Sequence, residues 1–105
     1  MKIVNPSVKL DIEKKVLINL NLGSGVYHKS NYYSLDHLPL EGVDILADLN
    51  ESLTLLPDNC VRKVFSHHVL EHVENFIPLM GELHRVVKND GVIEIVTPHF
   101  STVYS

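Results

Sequence analysis

The sequence predicts an α/β fold, a doubly wound parallel sheet with strand order 3-2-1-4-5. Three observations predict it. Short apolar runs recur at fairly even spacing from Val16 to Thr97, and the first carries branched residues on both faces, as a central parallel strand covered on two sides does. That first run stops in a glycine-flanked turn, Gly23-Ser24-Gly25, where two side chains are missing and a ligand can touch backbone. A single strongly amphipathic stretch separates the last two runs and supplies a helical crossover.

The elements follow in order. Residues 1–15 place Val8, Leu10 and Ile12 in alternation with Lys9, Asp11 and Glu13, which predicts a half-exposed strand or an extended arm. The main domain then covers residues 16–105. Its first strand is Val16 to Leu22, and the six residues from Val26 to Asn31 are too few for a full crossover helix. The second strand runs from Tyr32 to Asp36. Pro39 and Gly42 punctuate a loop, and Val43 to Asp48 forms a third strand that ends, like the second, in an acid. Asn50 to Leu56 makes a turn of helix before the turn signal Leu56-Pro57-Asp58-Asn59. The fourth strand is Val61 to Ser66. Asn75 then caps a helix with the apolar stripe Phe76, Met80, Leu83 and Val87, with Pro78 in its first turn and Arg85 and Lys88 at its C-terminal dipole end. Asn89-Asp90-Gly91 ends the helix, and Val92 to Thr97 is the fifth strand.

Right-handed parallel connections place the switch point of such a sheet between the first and fourth strands, and ligands bind at the carboxyl ends there. Gly23 to Gly25, Asp36, Asp48 and Ser66-His67-His68 converge on that crevice. Strand, glycine turn, strand and terminal acid describe a nucleoside site in which Asp36 accepts from both ribose hydroxyls. A dinucleotide fingerprint would need a third glycine where His28 stands.

Composition narrows the function. The chain has 105 residues, one domain's worth, and a formal net charge of −4. Its nine Lys and Arg residues are scattered along the sequence, which gives no patch for phosphate backbones and disfavours nucleic acid as a primary partner. The single cysteine, Cys60, excludes a disulfide framework and a cysteine-rich zinc site, and fits a reducing compartment. No apolar run reaches membrane-spanning length and the N-terminus has no secretory core. The expectation is a soluble, cytoplasmic protein.

The histidines offer a rival. His68, Glu71 and His72 spell H-x-x-E-H, the order in which two histidines one helical turn apart bind zinc beside a water-activating glutamate. No third ligand is evident, since Glu82 and His84 fall on the next helix, and the same residues read equally as turn-forming groups or as a cofactor-contacting loop. No metal is expected. His28, His37 and His84 belong to no constellation; His99, after the fifth strand and Pro98, points toward the crevice.

Taken together, Asn21-Leu22-Gly23-Ser24-Gly25, Asp36, Ala47-Asp48-Leu49, Leu56-Pro57-Asp58-Asn59, Ser66 with His68-Val69-Leu70-Glu71-His72-Val73, and Glu82-Leu83 with Arg85-Val86-Val87-Lys88 and Gly91 resemble the class I S-adenosylmethionine-dependent methyltransferases of the methyltransferase-11 type. The resemblance spans residues 16–100 and implies a Rossmann-like domain. It implies that Asn21, Gly23, Ser24 and Gly25 border the methionine and ribose of S-adenosylmethionine, and that Asp36 holds the ribose hydroxyls. Asp48 and the Leu49 amide would read the adenine edge, and Ser66, His67 and His68 would line the methionine side. His68, His72 or His99 would serve as general base where an acceptor must lose a proton.

The sequence also departs from that family. Asn21 stands where an acid is frequent, Tyr27 where a third glycine is common, and Arg62 where an aspartate usually precedes the fourth strand. The chain ends where relatives continue into further strands, so a truncated relative is expected, with Val92 to Val96 as an exposed edge that self-associates. The reading is methyl transfer to a small-molecule acceptor. The alternatives are a non-catalytic cofactor-binding or interaction module and, more remotely, a zinc hydrolase built on His68-Glu71-His72.

Overall fold

The structure is a computed structural model and describes residues 1–23, 28–67, 76–97 and 101–104. Its elements are β1 (Lys2–Ile3), α1 (Pro6–Glu13), β2 (Ile18–Leu22), β3 (Tyr33–Asp36), β4 (Ile45–Leu46), β5 (Val61–His67), α2 (Phe76–Val86), β6 (Val87–Val96) and β7 (Ser101–Tyr104). They build one sheet of order β1-β4-β3-β2-β5-β6-β7. The inner pairs β4·β3, β3·β2, β2·β5 and β5·β6 are parallel. In the numbering of the apolar runs this is 3-2-1-4-5, the expected order of a Rossmann-like sheet. One short antiparallel strand is added on each side, β1 against β4 and β7 against β6.

The register sorts the strands into two faces. Leu20, Val64 and Ile93 lie side by side, as do Leu22, Ser66 and Ile95, and Leu35 and Ile45 continue that face across β3 and β4. These apolar residues are buried, and Val8 of α1, Leu79, Leu83 and Val86 of α2, and Leu53 and Leu56 join them in one cluster. The opposite face aligns Asn19 with Lys63 and Val92, and Asn21 with Phe65 and Glu94. Here Phe65 is half-buried, Lys63 is exposed, and the Lys29 ammonium lies 4.5 Å from the Phe65 ring centroid.

Several expectations change. The strand expected over Val8 to Glu13 is the helix α1: Asn5 caps it by accepting from the Ser7 amide at 2.9 Å, and Pro6 occupies its first turn. The cap and the proline override the alternation. Val8 is fully buried and Leu10 is half exposed, which a strand placing both on one face would not produce. The core stripe of α2 is Leu79, Leu83 and Val86, spaced four and three apart, while Phe76 is exposed, Met80 is half-buried and Val87 already belongs to β6. Its expected cap, Asn75, lies outside the described residues. Finally, Val92 to Val96 is not an open edge, because residues 93–96 pair with β7, and self-association through that edge loses its basis.

Arg85 joins α2 to the chain before β5. Its guanidinium donates to the Leu53 and Leu56 carbonyls at 3.0 and 2.8 Å, to both Glu82 carboxylate oxygens at 3.2 and 2.9 Å and to Asp58 at 2.9 Å. Glu82 in turn accepts from the Leu53 amide at 2.8 Å. These bonds hold Glu82 below the usual carboxylate range, the Arg85 hydrogen bond being the largest cause, and push Arg85 further up. Residues 50–56 form turns and bends rather than the expected turn of helix, and the clamp holds 53–58 in place.

Candidate functional site

Parallel strands deliver their C-terminal residues to one rim, and three buried polar residues, Asn21, Asp36 and Ser66, stand there. β2 ends at Leu22, and Gly23 follows with φ 60, a left-handed conformation that glycine adopts without strain. Its amide donates to the Leu35 carbonyl at 2.7 Å, which sets the turn directly beside Asp36. The Asp36 carbonyl accepts from the Ala47 amide at 3.0 Å, so Asp48 follows immediately on the other side. Across β2 the register places Ser66 beside Leu22, and His67 completes the row.

Asp36 is only 6% exposed. Its Oδ1 accepts from the Leu38 amide at 3.0 Å and lies 3.2 Å from His37 Nδ1. These two contacts orient a nearly buried carboxylate at the rim, and both come from the residues after the acid. The His37 contact was not legible in the sequence, where His37 belonged to no constellation; an acid followed two residues later by a free amide is the Asx-turn signal that could have found the Leu38 bond. Asp48 is exposed and caps its own turn through the Asn50 amide at 2.9 Å, with Leu49 half-buried against the core.

Asn21 is 7% exposed on the polar face. Ser66 is 1% exposed on the core face, and its Oγ has no hydrogen-bond partner among the described residues. His67 points to the opposite face, is exposed, and has its ring 6.0 Å from that of Phe65. The structure therefore brings Asn21, Gly23, Asp36, Asp48, Leu49, Ser66 and His67 to one rim but divides Ser66 and His67 between its two sides. Ser24, Gly25, His68, Glu71, His72 and His99 lie outside the described residues, so the H-x-x-E-H constellation has no geometry here. Among the described residues no group of three His, Cys, Asp or Glu could hold a metal, and no helix is long and apolar enough to cross a membrane. Cys60 is half-buried, and desolvation pushes its thiol up to about 11, which makes it an unreactive packing residue.

A parallel sheet of this order, with a glycine turn after its central strand, an acid ending the next strand and another two residues past the one after it, defines a Rossmann-like domain. Residues 8–95 match the family described as a methyltransferase domain, methyltransferase-11. The chain belongs to that family. Similar solved structures include the YcgJ protein of Bacillus subtilis, with a TM-score of 0.62, 17% identity and coverage of 88% of this chain and 50% of that one. An S-adenosylmethionine-dependent methyltransferase from Mesorhizobium loti gives 0.60, 22%, 77% and 46%, and the trans-methyltransferase CalH, in complex with SAH, gives 0.60, 12%, 75% and 31%. The chain thus spans about a third to a half of the length of these neighbours, which share its fold. No curated protein matches the sequence significantly.

The rim suits S-adenosylmethionine on its donor set. That molecule carries no phosphate, so a row of acceptors, the Asp36 and Asp48 carboxylates, matches its ribose hydroxyls, adenine amine and sulfonium charge better than a basic loop would.

Proposed function

We propose that this domain binds S-adenosylmethionine along the carboxyl rim and supports methyl transfer to a small-molecule acceptor. The observation that carries the reading is the nearly buried Asp36 carboxylate held between the Gly23 turn and Asp48, in a chain of the methyltransferase-domain family. When bound, the cofactor supplies a methyl group activated by a sulfonium. The chain's own residues bind and orient it. Asp36 accepts from the ribose hydroxyls; its Leu38 and His37 contacts remove the entropy of aligning it. Asn21, Gly23, Ser24 and Gly25 bring backbone and a short amide against the ribose and methionine. Asp48 and Leu49 take the adenine edge, and Ser66, His67 and His68 border the methionine side. Transfer then rests on holding donor and acceptor in line and excluding water, and His68, His72 or His99 receives a proton where the acceptor gives one up.

Thermal unfolding with and without S-adenosylmethionine tests this reading. Ligand at about a hundred times its Kd adds roughly 2.7 kcal/mol, worth about ten degrees or more for a domain of this size. A shift of that order, cut by about half or more in Asp36→Ala, supports the site. A cooperatively folded chain that shows no shift with cofactor or its demethylated product overturns it. Binding without turnover against a panel of acceptors favours a non-catalytic cofactor-binding module.

A further inference from the structure

The nine basic residues are dispersed in sequence, yet the fold collects three of them at the end of the sheet opposite the rim. Arg62, Lys63 and Lys88, with Leu17, Asp90 and Val92, line a cleft of about 280 Å³. A β-bulge produces the gathering. Val61 pairs with Ile18 on one side and Val87 on the other, and the next paired residue is Lys63, opposite Asn19 and Val92. Arg62 is skipped by both neighbours, and such an extra residue re-aims side chains that would otherwise alternate across the sheet. Consecutive Arg62 and Lys63 therefore serve one concavity.

The facing strand is built to match. Between Val87 and Val92, β6 carries four residues that have no counterpart in the register, and Lys88 is the first. Asp90 adopts φ 68 to turn this segment back. A Cβ at Gly91 would stand 2.8 Å from the Arg62 carbonyl oxygen and 2.4 Å from Val87 Cγ1, so glycine at 91 permits the two bulges to nest. Among the described residues, none of Arg62, Lys63, Lys88 and Asp90 enters an ion pair. Three cations and one carboxylate thus share a cleft without internal neutralisation, in a chain whose net charge is −4.

We propose that this cleft is a phosphate-binding site that takes a small phosphate monoester. A dianionic phosphate with three acceptor oxygens meets three converging donors, for which a guanidinium beside ammonium groups is suited. Leu17 and Val92 give the ester carbon an apolar floor. The volume lies at the small end of ligand pockets, too small for a whole nucleotide, and a single cleft does not track a nucleic-acid backbone. The site stands about 16 Å from His67 by strand rise and is independent of the rim.

Amide and side-chain NMR of the full chain, without cofactor, tests the proposal with inorganic phosphate, glycerol 3-phosphate and glycerol as probes. The expected result is saturable shifts at 61–63 and 88–92 with both phosphates, tighter with the ester, and none with glycerol or at Gly23 and Asp36. Arg62→Gln and Lys88→Gln each weaken binding by about fivefold, whereas Asp90→Asn, which keeps a residue tolerant of positive φ, tightens it by about twofold. Because Asp90→Asn gains affinity, loss of folding cannot imitate that result. Non-saturating shifts, shifts spread over all lysines, or affinities indifferent to the three substitutions overturn the site. Binding to phosphatidic acid vesicles but not to glycerol 3-phosphate overturns the small-ligand assignment in favour of a membrane headgroup.

Discussion

Two acid-bearing regions of this molecule use their carboxylates in opposite ways. Around Arg85 the acids are consumed: Glu82 and Asp58 meet a guanidinium whose remaining donors reach the Leu53 and Leu56 carbonyls. Along the rim, Asp36 and Asp48 accept from amides two residues further on, at Leu38 and Asn50. Both regions lie within residues 8–95, the span that matches the methyltransferase-domain family. The clamp fixes a stretch that has no helix or strand of its own, whereas the rim acids sit at or just past the ends of parallel strands, held by local turn hydrogen bonds.

If that division is right, the two regions break differently. Arg85→Ala leaves the Leu53 and Leu56 carbonyls and the Glu82 carboxylate without their donor. It is expected to cost about 3 kcal/mol, a fall of well over ten degrees in Tm for a domain of this size, with cofactor affinity unchanged in the fraction that stays folded. Asp36→Ala is the reverse case. Calorimetric titration should show S-adenosylmethionine binding weakened by about ten- to a hundredfold, the worth of hydrogen bonds to a charged acceptor, with Tm of the free chain little altered. A loss of stability in Asp36→Ala equal to that in Arg85→Ala would erase the distinction. Gly91→Ala is smaller and purely structural: the new methyl meets the Arg62 and Lys88 carbonyl oxygens at 2.8 and 2.9 Å. An overpacking cost of about 1–2 kcal/mol follows, read by chemical denaturation.

What the sequence disclosed and what it concealed divide along similar lines. The five parallel strands were legible because each is an apolar run between turn residues, and Gly23, Asp36 and Asp48 were legible because they end those runs. The helix at Pro6 to Glu13 was concealed, since its Val8, Leu10 and Ile12 spacing satisfies a strand as well as a short helix, and the deciding signal was the Asn5-Pro6 cap. The apolar spacing of α2 was ambiguous too, because two stripes offset by one helical position fit Phe76 to Val87. The Arg85 clamp and the nested bulges at Arg62 and Gly91 were beyond reach, as both depend on tertiary register between segments that no local pattern aligns.

The smallest effect is the most specific to the clamp. Glu82 is held below its ordinary range chiefly by Arg85 and by the Leu53 amide, against a desolvation that acts in the other direction. A carboxyl whose folded pKa is depressed binds its proton more readily in the unfolded chain, so its stabilisation is present above the unfolded value of about 4.3. It fades as pH falls below that value toward the folded one. Its side chain is 21% exposed and that of Arg85 32%, so solvent screens the pair and the contribution is about 1 kcal/mol. Tm should therefore be flat from pH 7 to pH 5 and then decline, and Glu82→Gln, which keeps an acceptor for the Leu53 amide but cannot titrate, should shallow that decline while lowering the plateau. A decline of unchanged steepness in Glu82→Gln would move the acid sensitivity out of the clamp.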